Sequence, residues 1–172
     1  SYKYSTIDEI LQKANNLNQP PFILILDGIE DPYNLGAIIR TAECAGAHGI
    51  IIPKRRAAQV TAGVYKSSAG AVEHILITKV TNISDTIEEL KEKGIWIYGA
   101  DIDGEDYYHV ELTGPMALVI GSEGKGISRL VKEKCDFLLK IPMFGQISSL
   151  NASNAASILI YEVVRQNYGN KR

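Results

Sequence analysis

Apolar residues fall along this chain in two alternating rhythms. Short unbroken runs recur at Phe22–Leu26, Gly49–Ile52, Ile75–Thr78, Ile95–Gly99, Ala117–Ile120 and Phe137–Ile141. Runs of that length without polar alternation fit strands covered on both faces, as in a parallel sheet. Between most of them apolar residues return at three- and four-residue spacing, over Leu35–Ala45, about Ala58–Ser67, Ile83–Lys93 and Ile127–Lys134. That is the period of a helix laid on a core. The alternation predicts an α/β fold, a mainly parallel sheet flanked by helices.

The two ends of the chain differ from this middle. Ser5 or Thr6 can cap a short helix over Ile7–Leu17, with Ile7, Ile10, Leu11 and Ala14 on one face. Ser1–Ser5 is polar and reads as mobile, and Asn15–Pro21 ends in Pro-Pro, so both read as linker. At the other end, Ile141–Glu162 passes from an apolar, Pro-containing segment through a loop with Gly145, Ser148 and Ser149 into a helix. Ser149 and Asn151 offer side-chain oxygens near its first turn. Ala152, Ala155, Ala156, Leu159 and Val163 line one face, while Ile158, Ile160 and Val164 load another. Such a helix must be covered on more than one side.

Length and composition narrow the class. The 172 residues form one domain with a substantial core, and 45% hydrophobic with 22% charged residues is ordinary for a soluble protein. A net charge of −2 means that any polyanion must be met by a local patch rather than a global field. Cys44 and Cys135 lie far apart, without C-x-x-C or a His cluster, so neither a disulfide nor a metal site is expected. No apolar run reaches membrane-spanning length, and a cytoplasmic location is expected.

The first strand ends in Asp27-Gly28-Ile29-Glu30-Asp31-Pro32, where a Rossmann site would need G-x-G-x-x-G, and no P-loop occurs anywhere. A nucleotide-like ligand would therefore bind near the C-terminal half. Three stretches could carry chemistry. Asn34-Leu35-Gly36-Ala37-Ile38-Ile39-Arg40 opens a helix; Asn34 could be a cap and Arg40 a solvated residue, yet a guanidinium there can also grip a phosphate. Gly121-Ser122-Glu123-Gly124-Lys125-Gly126 follows a strand directly; it could be a plain turn, or a loop whose bare backbone admits a ligand. The third is Ile141–Glu162.

Together and in this order, the three resemble the motifs of the SpoU (TrmH-like) family of RNA ribose 2′-O-methyltransferases, within the SPOUT superfamily. The matching residues are Asn34, Gly36, Ala37 and Arg40, then Gly121, Glu123, Gly124 and Gly126, then Pro142, Met143, Gly145, Ser149, Leu150, Asn151, Ser153, Ala155 and Glu162. Lys66–Glu73 is similar to the family's inter-motif stretch, and the resemblance runs roughly from Phe22 to Gln166. It implies a C-terminal trefoil knot, which no periodicity could have predicted. It also implies S-adenosylmethionine held by backbone of three loops, through Gly99 and Ala100, through Ile120–Gly124 with Gly121, and through Ile141–Met143 with Leu150. Apolar Ile141, Met143 and Leu150 suit the faces of an adenine.

By the same resemblance Arg40 assists the 2′-hydroxyl, with Asn34, Glu123, Ser149 and Asn151 orienting it and the ribose. The resemblance further implies a homodimer through the C-terminal helix and an RNA substrate, guanosine in 23S ribosomal RNA first and tRNA second. Base methylation and a non-catalytic knotted dimer that only holds RNA or cofactor are the alternatives. RNA is expected across Arg40, Lys54, Arg55, Arg56 and Lys66, a locally basic stretch. Because the chain begins with Ser and related ribosomal-RNA enzymes carry a small RNA-binding domain ahead, residues 1–21 are expected to be a short helix and linker. Residues 22–172 are then the catalytic domain.

Overall fold

Each continuous apolar run becomes a strand: β1 (Phe22–Asp27), β2 (Gly49–Pro53), β3 (Leu76–Val80), β4 (Trp96–Asp106), β5 (Met116–Gly121) and β6 (Phe137–Lys140). A computed structural model describes residues 1–169. Its sheet has the order β3-β2-β1-β5-β4-β6, and every neighbouring pair is parallel. Alternate side chains of one strand enter different cores, as the period of two requires. Leu24 and Leu26 face one side of the sheet, and Ile23 and Ile25 the other.

Helices α2 (Pro32–Cys44), α3 (Ala62–Ser67) and α6 (Ala152–Tyr168) cover the first side. Helices α1 (Ile7–Asn16), α4 (Ile83–Glu92) and α5 (Arg129–Lys134) cover the second. The layered parallel arrangement expected from the hydrophobic pattern is therefore what forms.

Local differences have local causes. The helix expected from about Ala58 starts at Ala62, because the Thr61 hydroxyl accepts from the Val64 amide at 3.3 Å. The preceding turn is held instead by the Gln59 side-chain amide on the Pro53, Ala57 and Ala58 carbonyls. The helix expected from Ile127 begins two residues later, at Arg129. Strand β4 outruns its apolar run because its second leg, past Ala100, rejoins β6 through residues that are not buried.

In the opening stretch Tyr2, Tyr4 and Ser5 are packed onto the fold. Tyr2 and Tyr4 lie against the first core, the Tyr4 hydroxyl accepts from the Val60 amide at 2.9 Å, and the Ser5 amide donates to the Ile77 carbonyl at 2.8 Å. Two aromatic rings at i and i+2 give this polar-looking stretch one apolar face. Thr6 and Glu9 then cap α1 reciprocally.

In a sheet of this kind ligands collect where the strand order reverses, here between β1 and β5. That crevice is closed by the chain itself. Asp27 Oδ2, at the end of β1, accepts from the Ser128 amide at 2.7 Å, and Gly28 sits so close to the turn after β5 that a Cβ there would lie 3.8 Å from Ser122.

Candidate functional site

The open space lies one and two strands further along. A cavity of about 780 Å³ is bounded by the C-terminal ends of β4, β5 and β6, the Gly121–Gly126 loop, the 141–150 segment and the start of α6. Its apolar surfaces come from Ile120, Leu139, Ile141, Met143, Leu150 and Leu159. All five residues expected to hold a cofactor, Ala100, Gly121, Ile141, Met143 and Leu150, line this one cavity. Gly99 does not; it stays in the ladder, paired with Val119 and Leu138.

Gly121 shows why the loop after β5 needs its glycines. A Cβ there would overlap the backbone of Gly126 and Ile127, because the loop folds back on its own start. Ser122 and Gly126 form an isolated antiparallel bridge, and Gly124 and Gly126 take φ of +80° and +68°. The turn thus bares its backbone along the cavity wall, with Glu123 exposed at its tip.

The motif residues outside the loop meet through two helices. Asp31 caps α2 by accepting from the Tyr33 amide at 2.9 Å, with Pro32 at the first helical position. Asn34 is therefore inside the helix, not its cap. Asn151 caps α6, accepting from the Ser153 amide at 2.9 Å, and its amide nitrogen donates to Asn34 Oδ1 at 3.2 Å. Two turns along, Thr41 and Ser157 join the same helices at 3.2 Å. Gly36 lets α3 approach on the other flank, since Ser67 occupies the space a Cβ would need.

Ser149 and Glu123 line the cavity, whereas Asn34, Asn151 and Arg40 do not. Arg40 is exposed on α2 and, among the described residues, makes no side-chain hydrogen bond or ion pair. Seven residues separate it from Tyr33, two helical turns, so the two share the solvent-facing stripe with Ala37 between them.

Several features of the site escaped the sequence. Asp101, Ile102 and Asp103 leave the β4–β6 ladder and join the cavity wall, and Lys132 of α5 reaches across to both carboxylates. The cluster D-x-D before a glycine was visible, but nothing linked it to Lys132. Cys135 is near this wall, where burial pushes its thiol up to about 12, so it stays protonated. Among the described residues no three His, Cys, Asp or Glu side chains are grouped to hold a metal ion.

The cavity fits an adenosine-bearing cofactor: it is large enough, apolar on its broad walls, and edged by bare backbone at Gly121–Gly126. Fold and site together define a class, a parallel α/β domain whose ligand cleft lies beside the usual crevice and is closed by the C-terminal helix. The chain belongs to the SpoU rRNA Methylase family, whose profile matches residues 21–161.

It is 56% identical over 167 residues to YacO of Bacillus subtilis, a protein named for the TrmH family of tRNA/rRNA methyltransferases, covering 96% of this chain and 67% of YacO. The SpoU methyltransferase AviRb of Streptomyces viridochromogenes, solved in complex with AdoMet, superposes with a TM-score of 0.84 at 32% identity, over 99% of this chain and 68% of AviRb. A TrmH-family protein of Porphyromonas gingivalis gives 0.80 at 36% identity, over 86% of this chain and 60% of its own. The chain thus spans between 60% and 68% of the length of these relatives.

Proposed function

We propose that this chain is the catalytic domain of an S-adenosylmethionine-dependent RNA methyltransferase acting on a ribose 2′-hydroxyl. The carrying observation is the meeting of two residue sets. Ala100, Gly121, Ile141, Met143 and Leu150 line one cavity, and the helix that closes it touches the Asn34 motif through Asn151. Bound there, the cofactor supplies a methyl group on a sulfonium, already activated. Placement of the hydroxyl is then most of the catalysis.

Arg40 cannot serve as a base, since guanidinium stays protonated. It holds the neighbouring phosphate and stabilises alkoxide charge as the hydroxyl gives its proton up to solvent water. Asn34, Glu123, Ser149 and Asn151 orient the ribose and Arg40. The substrate we favour is guanosine in 23S ribosomal RNA, with tRNA second, in the cytoplasm. The test is methyl incorporation into total RNA from labelled S-adenosylmethionine, then nuclease digestion and mass spectrometry. A methyl on a base, or tight cofactor binding without turnover, would overturn it.

The functional unit we propose is a homodimer through α6. Ile158 and Tyr161 are 37% and 46% exposed on that helix, beside the stripe carrying Arg40. A second copy there would cover them and let one subunit supply RNA contacts to the other's cavity. A monomer at micromolar concentration in sedimentation would remove this idea.

RNA is proposed to cross Lys54, Arg55 and Arg56 of the β2–α3 loop with Arg40 and Lys66, all exposed. The C-terminal segment is proposed to be knotted. β6 is outermost in the sheet, yet α6 returns to pack on α2, so the chain crosses the ends of the intervening strands. Pulling from both ends should leave an extended chain shorter than an unknotted one; full contour length would refute the knot.

A further inference from the structure

The β4 side of the cavity has a construction unlike the rest of the sheet. Ala100 and Glu105 both pair with Leu139, so residues 101–104 leave the ladder between them. The backbone of β6 fills their place so closely that a Cβ on Gly104 would overlap Leu138 and Leu139. Side chains take over where the ladder stops. The Asp103 amide donates to Asp101 Oδ2 at 3.0 Å. Lys132 Nζ, from α5, lies 3.0 Å from the same carboxylate and also contacts Asp103. Asp101, Ile102, Asp103 and Lys132 all line the cavity.

We propose that Lys132 is a cofactor-positioning residue: by clasping Asp101 and Asp103 it holds the 101–104 excursion against α5 and fixes the distance between two walls of the cleft. This rests on the cleft being the S-adenosylmethionine site. A clasp of this kind differs from an ordinary surface ion pair. The Asp101 side chain is only 11% exposed, and among the described residues no other cation lies within ion-pair distance of Asp101 or Asp103. Another cavity-lining cation, Lys140, is placed against Asp106 at 4.0 Å.

Without Lys132, two carboxylates two residues apart sit on a segment out of register with β6, and like charge drives them apart. The two acids in turn hold the Lys132 ammonium above its ordinary range, Asp103 more than Asp101. The Asp103 arm of the clasp is 64% exposed on its acidic side, and an ion pair so placed contributes little to global stability. The clasp should therefore act on the cleft, not on the fold.

The experiment compares Lys132→Met, Lys132→Arg and Asp103→Asn with the unaltered chain. It reads S-adenosylmethionine affinity by calorimetry, RNA affinity by filter binding, and amide exchange of residues 101–105. Lys132→Met should weaken cofactor binding about tenfold, the lower end of what loss of an outer-shell partner costs a bound group. It should also speed exchange in 101–105 while leaving RNA affinity and the unfolding midpoint in place. Lys132→Arg should restore both readouts, and Asp103→Asn should fall between.

If Lys132→Met fails to fold, Asp103→Asn decides alone, because that side chain is 64% exposed and its loss cannot unfold the domain. Unchanged affinity with unchanged exchange in the deciding variant overturns the proposal. If the unaltered chain binds no cofactor, the assignment of the cleft fails instead, and exchange still reports whether the clasp exists.

Discussion

At the junction of β1 and β5 the strand ends are closed by the chain itself, whereas those of β4, β5 and β6 stand apart around a cavity of about 780 Å³. Both places offer what a ligand site in a parallel sheet needs, strand ends and a following loop. The difference lies in what the chain does with its polar groups. Asp27 points across the first junction and accepts from Ser128, so that crevice spends its carboxylate on holding the loop after β5. The same loop, anchored there, becomes a wall of the second crevice. The closed site thus builds the open one.

The division extends to the helices. The first half of the sheet carries α2 with Asn34 and Arg40, while the second half carries the cavity, and the two meet at Asn151. Cofactor binding and methyl transfer should therefore fail separately.

The largest effect expected on this division is Gly121→Val. The added side chain would overlap the Gly126–Ile127 backbone, so the loop must leave its place. Cofactor affinity should fall by about 100-fold or more, as displacements of an ångström do to a preorganised site. RNA affinity, proposed to rest on the other half, should persist. Calorimetry with S-adenosylmethionine checks this; retained affinity would show that the loop is not a wall. Next comes Arg40→Lys, which keeps charge but loses the planar fork. Turnover should drop by about 10²–10³, the usual loss of one donor to a developing oxyanion, with cofactor affinity unchanged. Near-normal turnover would take Arg40 out of the chemistry.

The same division explains what could be read from the sequence. Strands were legible because each is buried on both faces, as in FILIL of β1. The family motifs carried the cavity residues, and Ala100, Gly121, Ile141, Met143 and Leu150 do line one space. Periodicity could not have placed Lys132 with Asp101 and Asp103, because that contact joins α5 to an irregular excursion of β4. Nor could it show Asp27 closing the first crevice, a bond between residues 101 apart in sequence. The packed Tyr2 and Tyr4 were hidden by their polar neighbours. Two tyrosines make a face only once something lies beneath them.

A smaller effect tests the first half as the RNA-facing side. Changing Lys54, Arg55 and Arg56 together to Ala should weaken RNA binding about tenfold at low salt. It should also flatten the logarithmic salt dependence by up to about 2, since each phosphate contact contributes somewhat less than one to the slope. Cofactor affinity should stay as it was. An unchanged slope measured by filter binding across salt concentrations would move the RNA elsewhere.

The smallest expected effect lies at the opposite ends of β1 and β2, away from both crevices. His48 is almost fully buried, its Nδ1 accepting from the Phe22 amide at 2.9 Å and its Nε2 2.8 Å from Gln19 Oε1. The ring is therefore the Nε2–H tautomer, donating to Gln19, and is neutral in the fold. Burial, with the nearby Lys13 ammonium, holds the imidazole below its ordinary value of 6.5. The unfolded chain consequently takes up a proton at a higher pH than the folded one. Stability from this group is complete above the ordinary value and is lost as pH falls from there towards the depressed one. Protonation would also remove the acceptor that meets the Phe22 amide where β1 begins. Thermal unfolding should therefore show a midpoint that falls between pH 7.5 and 5.5 by about 2–4 °C for each kcal/mol lost. In His48→Gln, which keeps a carbonyl acceptor but cannot titrate, the fall should be smaller. Cofactor affinity per folded molecule should not follow this dependence, because His48 touches neither the cavity nor α2's exposed stripe. Equal slopes in the two proteins would mean that the acid sensitivity of the fold arises elsewhere, and that the start of β1 does not depend on the charge state of His48.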